Sequence, residues 1–214
     1  HDRSRSGVLS ELEPLPKGFF EFVLLVMNNT HVIDPASGRM RLDSLQNSRK
    51  HCHIRSELAD RMLCGGVEAA SHFIWAGFDS MRVLNRNSND EPEKASRPLS
   101  ASAGGFIPGS GAGAVMLESL ESALARGAKI RAELAGSGIN CGGHRMGGSM
   151  TAPNPTSVQR CISDALADAG VRPDEVDAIN GHLTATRADP KEVDYWAKTL
   201  GRDPGSLPPL TATK

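Results

Sequence analysis

Apolar residues follow a sustained period only in the later part of the chain. Before about residue 57 no helical or strand repeat persists. There, only the run 19–27, interrupted by Glu21, suits a buried strand, and Asn28-Asn29, Asp34-Pro35 and Ser37-Gly38 are turn signals without a partner element. That stretch is expected to be poorly ordered.

From residue 59 the pattern sharpens. Residues 59–64 read as a short apolar strand, Gly65-Gly66 as a tight turn, and 67–76 as a helix ended by Gly77. A glycine-rich stretch, 104–113, leads into an apolar segment at 114–118 and a helix running through Arg126, stopped by Gly127. Residues 130–136 alternate like a strand. Pro155 opens a helix whose apolar positions Val158, Cys161, Ile162, Ala165, Leu166 and Ala169 make one stripe before Gly170. Residues 176–180 read as a buried strand delivering Gly181-His182-Leu183-Thr184-Ala185-Thr186 to its carboxyl end, where α/β proteins usually place their chemistry. Asp189 then reads as the cap of a last helix, with Pro190 at its first position and Glu192 completing a capping box. Val193, Trp196, Ala197 and Leu200 are its buried stripe, and Gly201 ends it.

This order of elements predicts an α/β chain, and the composition agrees. Hydrophobic residues make up 39% and charged residues 23%, as in ordinary globular domains, so global disorder is excluded. With 24 Lys and Arg against 25 Asp and Glu, net charge is −1, and no basic excess recommends nucleic acid or an anionic membrane as partner. The longest apolar run is far short of the roughly 20 residues that cross a bilayer, and no small-residue cleavage site follows it. The cysteines Cys52, Cys64, Cys141 and Cys161 form no CxxC pair, so neither a zinc site of ordinary spacing nor a disulfide framework is expected. Reduced thiols point to a cytoplasmic setting, with an organelle stroma the remaining alternative.

The most suggestive chemistry is His182 with Thr184 and Thr186. An imidazole at a strand end can stabilise a developing oxyanion or carbanion, and hydroxyls two residues apart can hold an amide-rich substrate arm. From spacing alone, a hydrogen-bonded structural histidine fits the same pattern equally well.

Several stretches together resemble a β-ketoacyl-acyl carrier protein synthase of the thiolase-like superfamily. They are Ala59-Asp60-Arg61-Met62-Leu63-Cys64-Gly65-Gly66-Val67-Glu68-Ala69, Ala95-Ser96-Arg97-Pro98, Gly105-Phe106 through Gly113, Arg126-Gly127-Ala128, Ala165 through Gly170, Ile179 through Thr186, and Ala212-Thr213-Lys214. The resemblance covers about residues 58–214 and implies a layered α/β/α thiolase-like fold, here partial, with a sheet mixed in direction. It implies a decarboxylative Claisen condensation of fatty acid or polyketide synthesis, with substrate carried on the phosphopantetheine arm of an acyl carrier protein and no other cofactor or metal. His182 matches the histidine that assists decarboxylation and binds the thioester oxygen, and Lys214 the lysine that supports it electrostatically. Thr184 and Thr186 match the threonines that contact the pantetheine arm, and Phe106 an aromatic of the malonyl pocket. Asp189 and Glu192 resemble the acidic pair after the histidine loop, although a capping box accounts for both. Relatives are homodimers, so a homodimer or heterodimer is expected, and an acyl carrier protein is the expected partner.

Departures from the family pattern are equally specific. Leu183 stands where the family carries Gly, and Ser110 where the glycine-rich stretch carries an acidic residue. The reactive cysteine of the family has no match. Cys52 lies too close to the first strand, because a helix of about three turns needs roughly 11 residues between them. His51-Cys52-His53 reads as a solvated basic segment rather than a metal tract. Cys64 and Cys161 read as inert core thiols. Cys141, beside His144 in a glycine-rich loop, has only weak grounds for reactivity. Lys214 precedes the point where the family places its second catalytic histidine. Residues 1–57 are therefore expected to be a separate, unassigned segment and 58–214 a partial synthase domain, inactive in condensation when isolated. The alternative is a non-catalytic synthase-like partner that dimerises or binds an acyl carrier protein. A hydrolase using His182 with Ser110 fails because nothing marks Ser110 as an activated nucleophile.

Overall fold

The computed structural model describes residues 53–140, 142 and 154–212. Strand β1, Arg61–Glu68, pairs antiparallel with β2, Gly111–Glu118, in a two-stranded ribbon. Gly65-Gly66 is therefore not a turn. Gly65 faces Ala114 and Gly66 faces Gly113, and a Cβ on Gly65 would collide with the Gly113 carbonyl oxygen. Glycines on both strands allow this close approach, so they belong to the ladder.

The first helix is displaced for the same reason. Val67 is held in the ladder opposite Ala112, and helix α1 spans His72–Ser80, after Ser71 has turned the chain. The Ser71 hydroxyl accepts the Phe73 N–H at 3.2 Å, a normal amino-terminal cap. Gly77 does not end this helix, because its open surroundings let it sit inside.

Helix α2, Leu120–Ala125, begins at the Ser119 cap and ends before Gly127, which takes φ +65. Glu118, at the end of β2, lies between two guanidinium groups, Arg61 at 2.7 Å and Arg126 at 2.6 Å. Its side chain is only 7% exposed. The Arg126 hydrogen bond, helped by Ser122 and the charge of Arg61, holds its carboxyl down to about 2 from the usual 4.5.

Helix α3, Pro155–Ala169, has the expected limits: the Asn154 side chain accepts the Thr156 and Ser157 N–H groups, and Gly170 adopts φ +67. Val158, Ile162 and Leu166 from its stripe join Val176, Ile179, Trp196 and Leu200 in the apolar core. Fully burying one such side chain stabilises the fold by about 1.5–3 kcal/mol.

The strand expected at 130–136 does not form. The chain meets α3 instead at the end of this segment and just beyond it, where Cβ atoms on Gly136 and Gly138 would collide with the helix backbone at Ala169 and Cys161. Its polar groups bond to that helix: the Ser137 N–H donates to Asp168 at 2.9 Å, and the Asn140 amide donates to the Ser157 carbonyl at 2.6 Å. Residues 136–140 thus find their contacts on a helix rather than on a neighbouring strand.

The strand expected at 176–180 is shorter. Strand β3, Ile179–Asn180, pairs parallel with β4, Leu210–Thr211. Pro208 and Pro209 precede β4 and have no N–H to extend the ladder backwards, although the Pro209 carbonyl still accepts the Ile179 N–H at 2.9 Å. The sheet expected as one layer is thus seen, among the described residues, as an antiparallel and a parallel pair. Helix α4, Asp189–Leu200, covers β3 beside α3, with Trp196, Ala197 and Leu200 buried. No helix among the described residues is long and apolar enough to cross a membrane.

Candidate active site at the carboxyl end of strand 3

Strand β3 leads directly into Gly181-His182-Leu183-Thr184-Ala185-Thr186, and this loop alternates. Gly181, Leu183 and Ala185 are buried, whereas His182, Thr184 and Thr186 are half-buried. His182, Thr184 and Thr186 are thus the residues of this loop left partly open to solvent. The hydroxyl oxygens of Thr184 and Thr186 lie 3.0 Å apart and share a hydrogen bond. Leu183, 2% exposed, is an anchor that drives the loop into the core.

The loop is held from below by two carboxylates. Glu192 accepts the His182 N–H at 2.6 Å and the Leu183 N–H at 3.1 Å, one on each oxygen. Asp189 accepts the Thr184 N–H at 2.9 Å and, on its other oxygen, the Leu99 N–H at 3.4 Å. These bonds replace the expected capping box. The cap position is Ala188, which has no side chain to bond the helix end, and both carboxylates turn back to the loop. They are 2% and 8% exposed, and a buried carboxylate without such donors would be strongly unfavourable. Their place in the first turn of α4 also sets them in the favourable end of the helix dipole.

Phe106 is joined to this loop through its neighbour. The Gly105 N–H donates to the Ala185 carbonyl at 3.0 Å, and Ala185, 1% exposed, holds the left-handed φ of +58. The Phe106 ring meets Phe78 edge-on at 4.8 Å between centroids. Gly105, Phe106, His182, Thr184 and Thr186 thus belong to one connected region. Lys214, Cys52, Cys141 and His144 lie outside the described residues. Ser110 is exposed and has no described base beside it.

The described thiols are structural. Cys64 is fully buried in β1, and the Cys161 thiol donates to the Gly138 carbonyl at 3.0 Å. Burial pushes the Cys161 thiol above its ordinary value, with the charge of Asp164 adding to the effect, which is opposite to what a nucleophile needs.

Comparison with known proteins decides the family. The model of the β-ketoacyl synthase N-terminal domain matches residues 49–123, and that of the β-ketoacyl synthase C-terminal domain matches residues 131–214. The chain belongs to the β-ketoacyl synthase family. It is 46% identical over 166 residues to the chloroplastic 3-oxoacyl-[acyl-carrier-protein] synthase I of Arabidopsis thaliana, covering 76% of this chain and 34% of that one. It is 42% identical over 159 residues to 3-oxoacyl-[acyl-carrier-protein] synthase 2 of Rhizobium meliloti, covering 73% and 37%. The chain therefore spans little more than a third of these relatives. Among solved structures it resembles a β-ketoacyl synthase from Burkholderia phymatum, with 33% identity and a TM-score of 0.71, over 78% of this chain and 39% of that one. It also resembles a ketosynthase solved with its type II polyketide acyl-carrier protein, with 31% identity and a TM-score of 0.67, covering 75% and 39%. The fold is accordingly α/β, part of the thiolase-like layered architecture.

The resemblance groups His182, Thr184, Thr186 and Phe106, and the structure connects their segments through bonds that the sequence reading did not give. The signal was present in Asp189 and Glu192, whose spacing of three puts both on one helix face. A capping box uses the same spacing, so only the identity of the cap residue separates the two readings.

Proposed function

We propose that residues 58–214 are the partial synthase domain of a β-ketoacyl-acyl carrier protein synthase acting in fatty acid or polyketide synthesis. In that reaction the bond from the malonyl α-carbon to its carboxylate breaks and CO2 leaves. The electron pair remains as a carbanion conjugated with the thioester. The carbanion attacks an acyl thioester, forming the new carbon–carbon bond, and the thiolate that carried the acyl group departs.

The single observation that carries this reading is the partly open histidine loop after β3, whose backbone two buried carboxylates hold and whose Thr184 and Thr186 hydroxyls lie together. His182 donates to the thioester oxygen as negative charge gathers there. Thr184 and Thr186 bond the amides of the pantetheine arm, Phe106 shapes the malonyl side, and Lys214 adds positive charge. Asp189 and Glu192 keep the loop in place and do not touch substrate. Neither described thiol, Cys64 or Cys161, is exposed to take an acyl group, and on the proposed reading this chain is inactive in condensation by itself. The proposed partner is an acyl carrier protein, and the proposed state is a homodimer or heterodimer in the cytoplasm or an organelle stroma.

Titration with malonyl-loaded acyl carrier protein tests the reading. Saturable binding that the double variant Thr184→Val, Thr186→Val weakens by about tenfold, or about 1.4 kcal/mol, is the expected result. A folded chain that shows no binding overturns it.

A further inference from the structure

Asn85 lies outside the histidine loop, yet it organises the segment that reaches it. Asn85 is 9% exposed, and both ends of its side-chain amide are hydrogen-bonded. Nδ2 donates to the Ala95 carbonyl at 2.9 Å and to the Ser88 hydroxyl at 3.1 Å, and Oδ1 accepts the Asn87 N–H at 2.9 Å. The backbone N–H of Asn85 donates to the Phe106 carbonyl at 3.0 Å, and the Phe106 N–H returns to Val83 at 2.7 Å, closing the parallel bridge between Leu84 and Phe106.

The fit around this amide is tight. A Cβ on Gly104 would lie 2.9 Å from both Nδ2 and Oδ1 of Asn85, so the chain at Gly104 rests flush on the amide. Gly105, at φ +129, would place a Cβ 2.7 Å from the Asn85 nitrogen, so neither position admits a side chain without movement. One residue further the chain becomes Phe106, and from Gly105 the N–H reaches Ala185, which stands between Thr184 and Thr186. A continuous path of hydrogen bonds and close contacts therefore runs from Asn85 to the aromatic side of the site and to its hydroxyl side.

We propose that Asn85 is a positioning residue that sets Phe106 relative to Thr184 and Thr186, and so decides how well the site holds the malonyl end of a substrate whose pantetheine arm lies on the threonines. The inference rests on the site reading above. It has a distinctive consequence: a ligand touching both sides should depend on Asn85, whereas a ligand touching only the threonines should not.

Affinities of the full chain for pantetheine and for malonyl-pantetheine, read from titrations, separate these cases. The native chain should bind malonyl-pantetheine more tightly than pantetheine. Asn85→Asp keeps the volume but removes both Nδ2 donors. Gly104→Ala is the second variant; it leaves the Asn85 side chain intact and forces the segment off it. In each, the preference for malonyl-pantetheine should fall by about tenfold while pantetheine affinity stays within about twofold. An unchanged preference overturns the inference alone. A parallel fall in both affinities also overturns it, because that marks Asn85 as merely structural. Failure of the folded native chain to bind either ligand overturns the site reading, and this inference with it.

Discussion

The backbone N–H of His182 donates to the buried carboxylate of Glu192 at 2.6 Å, and the same carboxylate takes the next N–H, that of Leu183. A glutamate in the first turn of α4 thus fixes the direction in which the chain leaves β3. The imidazole inherits its place from that bond.

Glu192→Gln should loosen the loop without dissolving the core. Glutamine keeps the volume but presents an NH2 group to one of the two N–H donors, leaving a buried donor unmatched at a cost of about 1–3 kcal/mol. Hydrogen exchange of the His182 and Leu183 amides should accelerate while the central amides of α3 keep their protection. Unchanged exchange at those two positions would show that the carboxylate does not hold the loop.

Gly138→Ala tests the placement of residues 136–140 on α3. A Cβ there would collide with the Cys161 carbonyl, so helix and segment must separate, at about 1–3 kcal/mol. Thermal unfolding should show the loss. A substitution without effect would mean the segment does not lie against the helix.

Acid should erase the contribution of Glu118. Its carboxyl titrates at about 2 in the folded chain against an ordinary 4.5, so the unfolded chain binds the proton first as pH falls. The stabilisation is complete above about pH 4.5 and disappears as pH drops through about 2. The difference in unfolding temperature between the native chain and Glu118→Gln should be full near neutrality and close across that window. A constant difference would contradict the role given to Arg126 and Arg61.

The helices at α3 and α4 were legible in the sequence because a single apolar stripe, a proline start and a glycine stop all agree. Local pattern alone also located the histidine loop, since a buried strand must deliver its polar residues at its end. The ribbon was misread because Gly65-Gly66 carries the signal of a turn, and only the small residues facing it on β2, Ala114 and Gly113, make it a strand. Residues 130–136 alternate in sequence but not in burial, and the nearest contacts, from Gly136 onward, are with a helix, which periodicity alone does not reveal. Asp189 and Glu192 were legible as a pair and illegible in their target, because their partners Thr184, Leu99, His182 and Leu183 are gathered by the fold.

Release of CO2 from malonyl-pantetheine by the purified chain, native against His182→Ala, tests the central claim most directly. The native chain should release CO2 above the uncatalysed rate, and the variant should lose that release while both remain folded. Equal release by the two folded proteins would contradict the assignment of His182 to the malonyl thioester.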